Sequence, residues 1–254
     1  MTSPSGVSDR ALIVGVRWYD ADSDYRSLKG PPHDCKEFRR WLLDHAGVLS
    51  ENIHSVVWSA AKEMPYPKSS DVGSALSLLL RPANRNDVEG GRRLYLFSAG
   101  HCQATSDLEA NVITADARPP VAASFPITRV AHLIRRSGLF EEIVLFVDGC
   151  RNSPMEPDSP YPLRLPTGPH DTHVLYAFAC EFGRAAYERK FGRQYNGVFS
   201  KALMEGLRGA ASTKLQRITG NSLKRFLQAR IPQLQERHLE QTPEIYCPRP
   251  FVLL

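Results

Sequence analysis

A histidine and a cysteine each stand just after an apolar segment of the chain. Residues 93–98 precede Ala99-Gly100-His101, and residues 142–147 precede Asp148-Gly149-Cys150. A cysteine supplies a thiolate nucleophile, and a histidine can take its proton and later protonate a leaving amine. If the two segments are neighbouring strands, His101 and Cys150 face each other and predict nucleophilic catalysis. The alternative at this point is a loop histidine and a small buried thiol.

The elements that must position these residues alternate along the chain. Continuous apolar runs are typical of strands buried on both faces, and apolar residues at helical spacing predict the helices between them. Pro232 is expected to end or kink the last helix. The predicted strands are 11–17, 53–58, 93–98, 112–114, 142–147, 173–179 and an edge strand at 251–254, and the predicted helices are 34–43, 70–80, 127–136, 197–206 and 221–231.

This alternation predicts an α/β protein with a mostly parallel sheet and helices on both faces. In such sheets ligands bind beyond the carboxyl ends of the strands, where His101 and Cys150 stand. We interpret residues 10–254 as one domain after a tail of residues 1–9. Residues 152–170 hold six prolines and predict a long surface loop after the cysteine.

Composition narrows the class of protein. The chain has 254 residues, 32 Lys and Arg, 27 Asp and Glu, and 42% hydrophobic residues, so it can bury a large core. Its basic residues are scattered, which argues against a nucleic-acid partner. No apolar stretch is long enough for a membrane span, and the first residues do not resemble a signal peptide. Five cysteines without close pairing argue against a secreted disulfide scaffold, so we expect a cytoplasmic protein.

The order of motifs over about residues 10–254 resembles the caspase-like superfamily of cysteine proteases, which includes caspases, metacaspases and paracaspases. Residues 11–16 and 28–34 resemble its first strand and the turn into its first helix. Leu96-Phe-Ser-Ala-Gly-His101-Cys102 resembles the motif of the catalytic histidine, and Leu145-Phe-Val-Asp-Gly-Cys150 resembles that of the nucleophile. Residues 186–188 and 196–207 resemble a later part of bacterial members.

The resemblance implies a three-layer fold with a six-stranded sheet and a His101–Cys150 dyad that cleaves peptide bonds through an acyl-enzyme. It also implies that the backbone N–H groups of Cys150 and Cys102 stabilise the oxyanion. Two positions depart from the family pattern. Cys102 replaces a usual glycine, which keeps the N–H but adds a side chain that could crowd the pocket, and Ala99 replaces a frequent serine in the pocket wall.

Acidic residues near the dyad indicate the substrate. Asp148 stands two residues before the nucleophile, where metacaspases and paracaspases carry the aspartate that binds a P1 Arg or Lys. Asp34 matches a second acid of this S1 pocket, and Glu181 is a third candidate with weaker alignment. The alternatives are a strand-end turn for Asp148 and a helix N-cap for Asp34.

Other predictions concern metals and processing. No spacing supports a zinc site. Some metacaspases need calcium, but the stretch after the His motif offers only Asp107, Glu109 and Asp116, so we expect no cofactor, and a calcium requirement remains an unsupported alternative.

Arg164, in the proline-rich segment, is a candidate self-cleavage site if P1 is arginine, and an uncut loop is the alternative.

Together these observations predict a single-domain bacterial cysteine endopeptidase that cuts protein substrates after Arg or Lys. The resemblance implies a role in antiviral defence or regulated cell death, with a separately encoded activator or target protein. We expect neither a nucleic-acid nor a membrane partner. The competing hypothesis is a catalytically silent pseudo-protease that acts as a binding scaffold, which the departures at Ala99 and Cys102 keep open.

Overall fold

The computed structural model describes residues 8–62, 64–81, 88–119, 122–151, 163, 165, 168 and 171–254. Its centre is a six-stranded sheet in the order β11-β8-β7-β3-β1-β2, parallel except for the edge strand β11. The strands of this sheet are β1 (Arg10–Gly15), β2 (Ile53–Val57), β3 (Gly91–Ala99), β7 (Phe140–Asp148), β8 (His173–Phe178) and β11 (Glu244–Tyr246).

Two small sheets lie outside the central one. The strands β4 (Cys102–Gln103), β5 (Asn111–Ile113) and β6 (Ser124–Phe125) form an antiparallel sheet directly after β3. The strands β9 (Glu188–Phe191) and β10 (Gln194–Gly197) form a hairpin. The sequence pattern does not predict this hairpin as strands, although the motif at residues 186–188 begins just before it.

In the part of the chain that the structure describes, five α-helices cover the two faces of the central sheet: α1 (Pro31–Asp44), α2 (Ser69–Leu80), α3 (Ile127–Ser137), α4 (Val198–Glu205) and α5 (Gly220–Leu234). Successive residues of a strand point to opposite faces. Accordingly Ala11 and Ile13 pack with α1, α4 and α5, whereas Leu12 and Val14 pack with α2 and α3. The continuous apolar runs of the sequence therefore fill two cores, and the predicted three-layer arrangement is confirmed.

The last helix does not end at Pro232, which was one of the two outcomes expected of this proline. Helix α5 continues past Pro232 to Leu234. Its last turn is closed by the Gln235 N–H, which donates to the Ile231 carbonyl, and by the Gln233 side-chain amide, which donates to the Ala229 carbonyl. Because Pro232 lies only two residues before the end of the helix, these two hydrogen bonds are enough to finish its last turn.

The segment 251–254 is not the predicted edge strand. Only an isolated bridge joins Val252 to Thr219, and the edge of the sheet is β11. The reason is that the guanidinium of Arg93 donates to the carbonyls of Val252 and Leu253, at 2.7 and 2.8 Å, and so holds this segment at the end of the sheet. Its apolar residues Phe251 and Leu253 are buried in the same core as α5.

The order of the strands decides where the histidine and cysteine lie. Strands β3 and β7 are direct neighbours, and Ala99 is paired in register with Asp148 at their carboxyl ends. The chain therefore leaves the sheet at the same edge in both places. Among the described residues no helix is long and apolar enough to cross a membrane.

Candidate active site

A pocket lies beyond the carboxyl ends of β3 and β7 and holds both His101 and Cys150. It encloses about 480 Å³, part of which is open to solvent. At the base of the pocket, one more backbone hydrogen bond joins the segments that follow β3 and β7. The Gly100 N–H donates to the Asp148 carbonyl at 3.1 Å. The other residues that line the pocket are Arg26, Leu28, Pro31, Asp34, Ala99, Gly149, Ala186, Tyr187, Glu188 and Gly197.

The imidazole of His101 has a defined tautomer. Its Nε2 lies 2.9 Å from the backbone carbonyl oxygen of Arg26, and a carbonyl only accepts hydrogen bonds, so Nε2 carries the proton. In the neutral ring, Nδ1 is then unprotonated and free to accept a proton. Burial lowers the pKa of His101, which the bond to Arg26 partly offsets. The ring is therefore a neutral base at pH 7.

The thiol of Cys150 contacts the backbone of Ala186. Its Sγ lies 3.3 Å from the Ala186 nitrogen, which donates to it, and 3.5 Å from the Ala186 oxygen. Burial raises the pKa of Cys150, while the Ala186 N–H acts in the opposite direction. The resting site therefore combines a neutral thiol with a neutral imidazole, and the thiol needs a base in order to react.

Two buried carboxylates stand at one side of this pocket, around Gly197. The oxygens of Asp34 accept from the Asn196 side-chain amide at 2.7 Å and from the Gly197 N–H at 3.0 Å. The Asp148 carboxylate accepts from the Ser200 N–H at 2.9 Å. A Cβ added at Gly197 would overlap the Asp148 carboxylate, so only a glycine allows this approach.

Burial, together with the charge of a neighbouring acid, perturbs both carboxyl groups. Burial raises the pKa of Asp148 to about 6, and burial together with the charge of Asp148 raises that of Asp34 well above its usual range. The N-cap alternative for Asp34 is wrong, because this residue lies inside α1, whose N-cap is Gly30. Asp148 is the last residue of β7 and its side chain lines the pocket, so its part in substrate binding stays a prediction.

The third acid of the pocket is Glu188, which the sequence marks only as part of the motif at residues 186–188. Its carboxylate accepts from the N–H groups of Lys29 and Gly30 at 2.7 to 3.1 Å, and so joins β9 to the start of α1. The predicted third acid, Glu181, lies elsewhere. Strand β8 ends at Phe178, and the Glu181 N–H bonds to Thr242, so its side chain is exposed near Lys224 and Gln228.

The side chain of Cys102 does not enter the pocket. It is 3% exposed, and its sulfur lies against Gly149, where any added Cβ would overlap it. The Ile113 N–H donates to the His101 carbonyl at 2.9 Å, so Cys102 and Val112 form a pair without hydrogen bonds between them. The ladder therefore leaves the Cys102 N–H unused. The predicted crowding by this cysteine is wrong, and Ala99 lines the pocket wall as expected.

The described residues hold no group of three His, Cys, Asp or Glu side chains in a metal-binding arrangement. The three acids considered for calcium each have different surroundings. Asp116 accepts from the Ser69 N–H, Glu109 accepts from the Thr105 hydroxyl, and Asp107 lies in the exposed groove beside Glu181. The self-cleavage candidate Arg164 lies outside the described residues.

Comparisons with known proteins agree with this architecture. No protein-family model matches the chain. A protein described as a probable protease, from a Desulfuromonadales bacterium, is 28% identical over 222 residues; the match covers 81% of this chain but spans only about a quarter (26%) of that relative.

A crystal structure of caspase-1 from Spodoptera frugiperda is similar over 98% of this chain and 92% of that chain. Its TM-score is 0.64 at 14% sequence identity, so the likeness concerns the fold. It agrees with the six-stranded, mostly parallel sheet and the helices described above. The chain has the caspase-like fold.

Proposed function

We propose that the chain is a cysteine endopeptidase that cleaves proteins after arginine or lysine. The observation that carries this proposal is one pocket in which a neutral histidine base, a thiol and two buried carboxylates meet. The caspase-like fold and the relative described as a probable protease support it.

The geometry suits acyl transfer. His101 Nδ1 takes the proton of Cys150 as Sγ attacks the carbonyl carbon of the scissile peptide bond. The resulting oxyanion accepts from the N–H groups of Cys150 and Cys102. The C–N bond then breaks, the protonated His101 gives its proton to the leaving amine, and a thioester remains on Cys150. Water, deprotonated by His101, hydrolyses the thioester and restores the free thiol.

The carboxylates account for the choice of substrate. A P1 arginine or lysine that enters beside Cys150 would place its cation near Asp34 and Asp148. A cation in that position removes the repulsion between the two buried charges, which an acidic P1 side chain would increase. Glu188 adds negative charge to the same wall.

We further propose that the natural substrate is a protein and that a separately encoded partner controls the activity, in bacterial defence or regulated cell death. The resemblance of the His101 and Cys150 motifs to bacterial members of the superfamily supports this role. Its test is to identify proteins with new termini in cells that express the wild type but not Cys150→Ala.

The first experiment compares two fluorogenic peptides that differ only in P1, arginine or aspartate. We expect the wild type to cleave the arginine peptide alone, and Cys150→Ala and His101→Ala to lose at least about a thousandfold in kcat/KM. The matched control is Cys247→Ala, which removes a half-buried thiol outside the pocket and retains activity.

Each other outcome has a definite meaning. Cleavage after aspartate would keep the dyad and contradict the role of Asp148. Equal rates for wild type and Cys150→Ala would contradict the proposed nucleophile. Inactivity toward both peptides, together with no labelling of Cys150 by a peptidyl-arginine electrophile, would favour the pseudo-protease.

A further inference from the structure

Both backbone polar groups of His101 are bound to other parts of the molecule. Its N–H donates to the hydroxyl oxygen of Tyr19 at 2.9 Å, and its carbonyl accepts from the Ile113 N–H at 2.9 Å. The His101 carbonyl and the Cys102 N–H belong to one planar peptide group. Whatever fixes the His101 backbone therefore also fixes the direction of the Cys102 N–H.

His101 needs a partner for its N–H because the sheet no longer supplies one. The pairing of β3 with β1 and β7 ends at Ala99, and the last bond to β7 is the one from the Gly100 N–H. His101 is the next residue, and a buried N–H without an acceptor is costly. The Tyr19 hydroxyl provides that acceptor from the segment that follows β1.

Tyr19 also contacts the ring of the histidine. Its ring centroid lies 5.1 Å from that of the imidazole, and Tyr25 packs against the imidazole at 5.4 Å. Tyr19 is 7% exposed, and the Asp20 N–H that follows it donates to the Ala115 carbonyl at 2.8 Å. The surrounding chain therefore fixes the position of Tyr19, so that its hydroxyl can in turn fix the backbone of His101.

We propose that Tyr19 is a positioning residue, which sets the His101 imidazole against Cys150 and aims the Cys102 N–H at the oxyanion. This inference rests on the proposed function. Tyr19 does not line the pocket, so it acts through His101 and does not itself touch substrate. The sequence does not predict this role, since the two partners are 82 positions apart in the chain.

The test is Tyr19→Phe, which keeps the ring and removes only the acceptor. Because misplacement of a catalytic group by about 1 Å can cost a hundredfold, we expect kcat to fall by roughly 10- to 100-fold with KM unchanged within about twofold. Rates are expressed per active site, counted with a peptidyl-arginine electrophile, so that a loss of folded protein does not count as a loss of rate.

The matched control is Tyr95→Phe, which removes another buried hydroxyl. That hydroxyl accepts from Arg93 at 3.0 Å, near the amino end of β3, and Tyr95 does not line the pocket, so kcat and KM should stay at the wild-type values. A Tyr19→Phe enzyme with wild-type kcat would overturn the inference, as would a fall in kcat of equal size in Tyr95→Phe.

A second measurement does not depend on turnover. In wild type the amide proton of His101 should exchange slowly with solvent, and in Tyr19→Phe it should exchange at least roughly tenfold faster. If no peptide is cleaved by the wild type but this difference appears, the proposed function fails and the positioning of His101 stands. If the wild type is active and neither kcat nor exchange responds to Tyr19→Phe, the positioning role fails alone.

Discussion

At the scale of single residues, the proposed substrate-binding role of the Asp148 carboxyl group predicts that substrate binding depends on pH. Burial raises its pKa to about 6, against an ordinary value near 4. The folded chain therefore holds an extra proton between about pH 4 and 6, and the free energy of unfolding falls as the pH rises through this window. Binding of a cationic P1 side chain should strengthen over the same window, because it needs the ionised carboxylate.

We accordingly expect KM for a P1-arginine peptide to rise as the pH falls below about 6. A peptide with P1 citrulline, which is uncharged, should show a flat KM over this range. Asp148→Asn should raise KM for the arginine peptide by about 10- to 100-fold, since one charge-assisted hydrogen bond is worth about 1.5–3 kcal/mol. It should also weaken the pH dependence of KM, of which the part due to Asp34, whose pKa is raised as well, remains. Steady-state kinetics from pH 5 to 8 measure both effects, and a flat wild-type KM for the arginine peptide would contradict them.

At the scale of elements, the turn after β7 and the strand β4 fit together through Gly149 and Cys102. The sulfur of Cys102 occupies the space where a side chain at residue 149 would begin. The cysteine at position 102 is therefore matched to its neighbour, and it lies under the nucleophile turn instead of in the pocket. This packing also removes one reason to regard the chain as a pseudo-protease.

Gly149→Ala should cost about 1–3 kcal/mol in the free energy of unfolding, because it overfills this contact. Cys102→Gly in the same chain should recover a part of that loss, and the Gly100 carbonyl, 2.7 Å from the added Cβ, accounts for the rest. Urea unfolding of wild type, both single variants and the double variant gives the coupling between the two positions. Strictly additive effects would show that the two residues do not meet.

The elements also show how far the sequence could predict this site. Strands β3 and β7 were predictable because strands buried on both faces read as apolar runs, and their neighbouring ends bring His101 and Cys150 into one pocket. Glu188 was not predictable as a pocket acid, since its bonds to the start of α1 join residues 158 or 159 apart. Glu181 follows a predicted strand closely, which suggested a place in the pocket, but after β8 the chain leads away from the pocket and the Glu181 N–H bonds to Thr242.

At the scale of the whole molecule, Arg151 connects the nucleophile turn to distant parts of the chain. This residue directly follows Cys150 and is 0% exposed. Its guanidinium donates to the carbonyls of residues 106, 107, 109 and 180 and pairs with Glu244 on the edge strand β11. It also lies 4.3 Å from the ring centroid of Phe178. A buried residue so placed is a structural brace.

Arg151→Met should therefore lower the free energy of unfolding by about 3 kcal/mol or more, because several buried carbonyls and Glu244 lose their donor. The matched control is Arg249→Met, which breaks an exposed ion pair with Asp171 and should leave the midpoint of urea unfolding unchanged. Equal midpoints for the two variants would contradict the role of Arg151 as a brace.

The parallel pairing of β7 with β8 has a consequence for how the site is divided along the chain. Cys150 follows the carboxyl end of β7, whereas β8 begins at His173, which is paired with Glu142 near the amino end of β7. His101, Cys150, Asp34 and Asp148 precede β8 in the chain, while Ala186, Glu188 and Gly197 follow it. The pocket therefore combines residues that precede β8 in the chain with residues that follow it, and neither of the two parts alone forms the whole pocket.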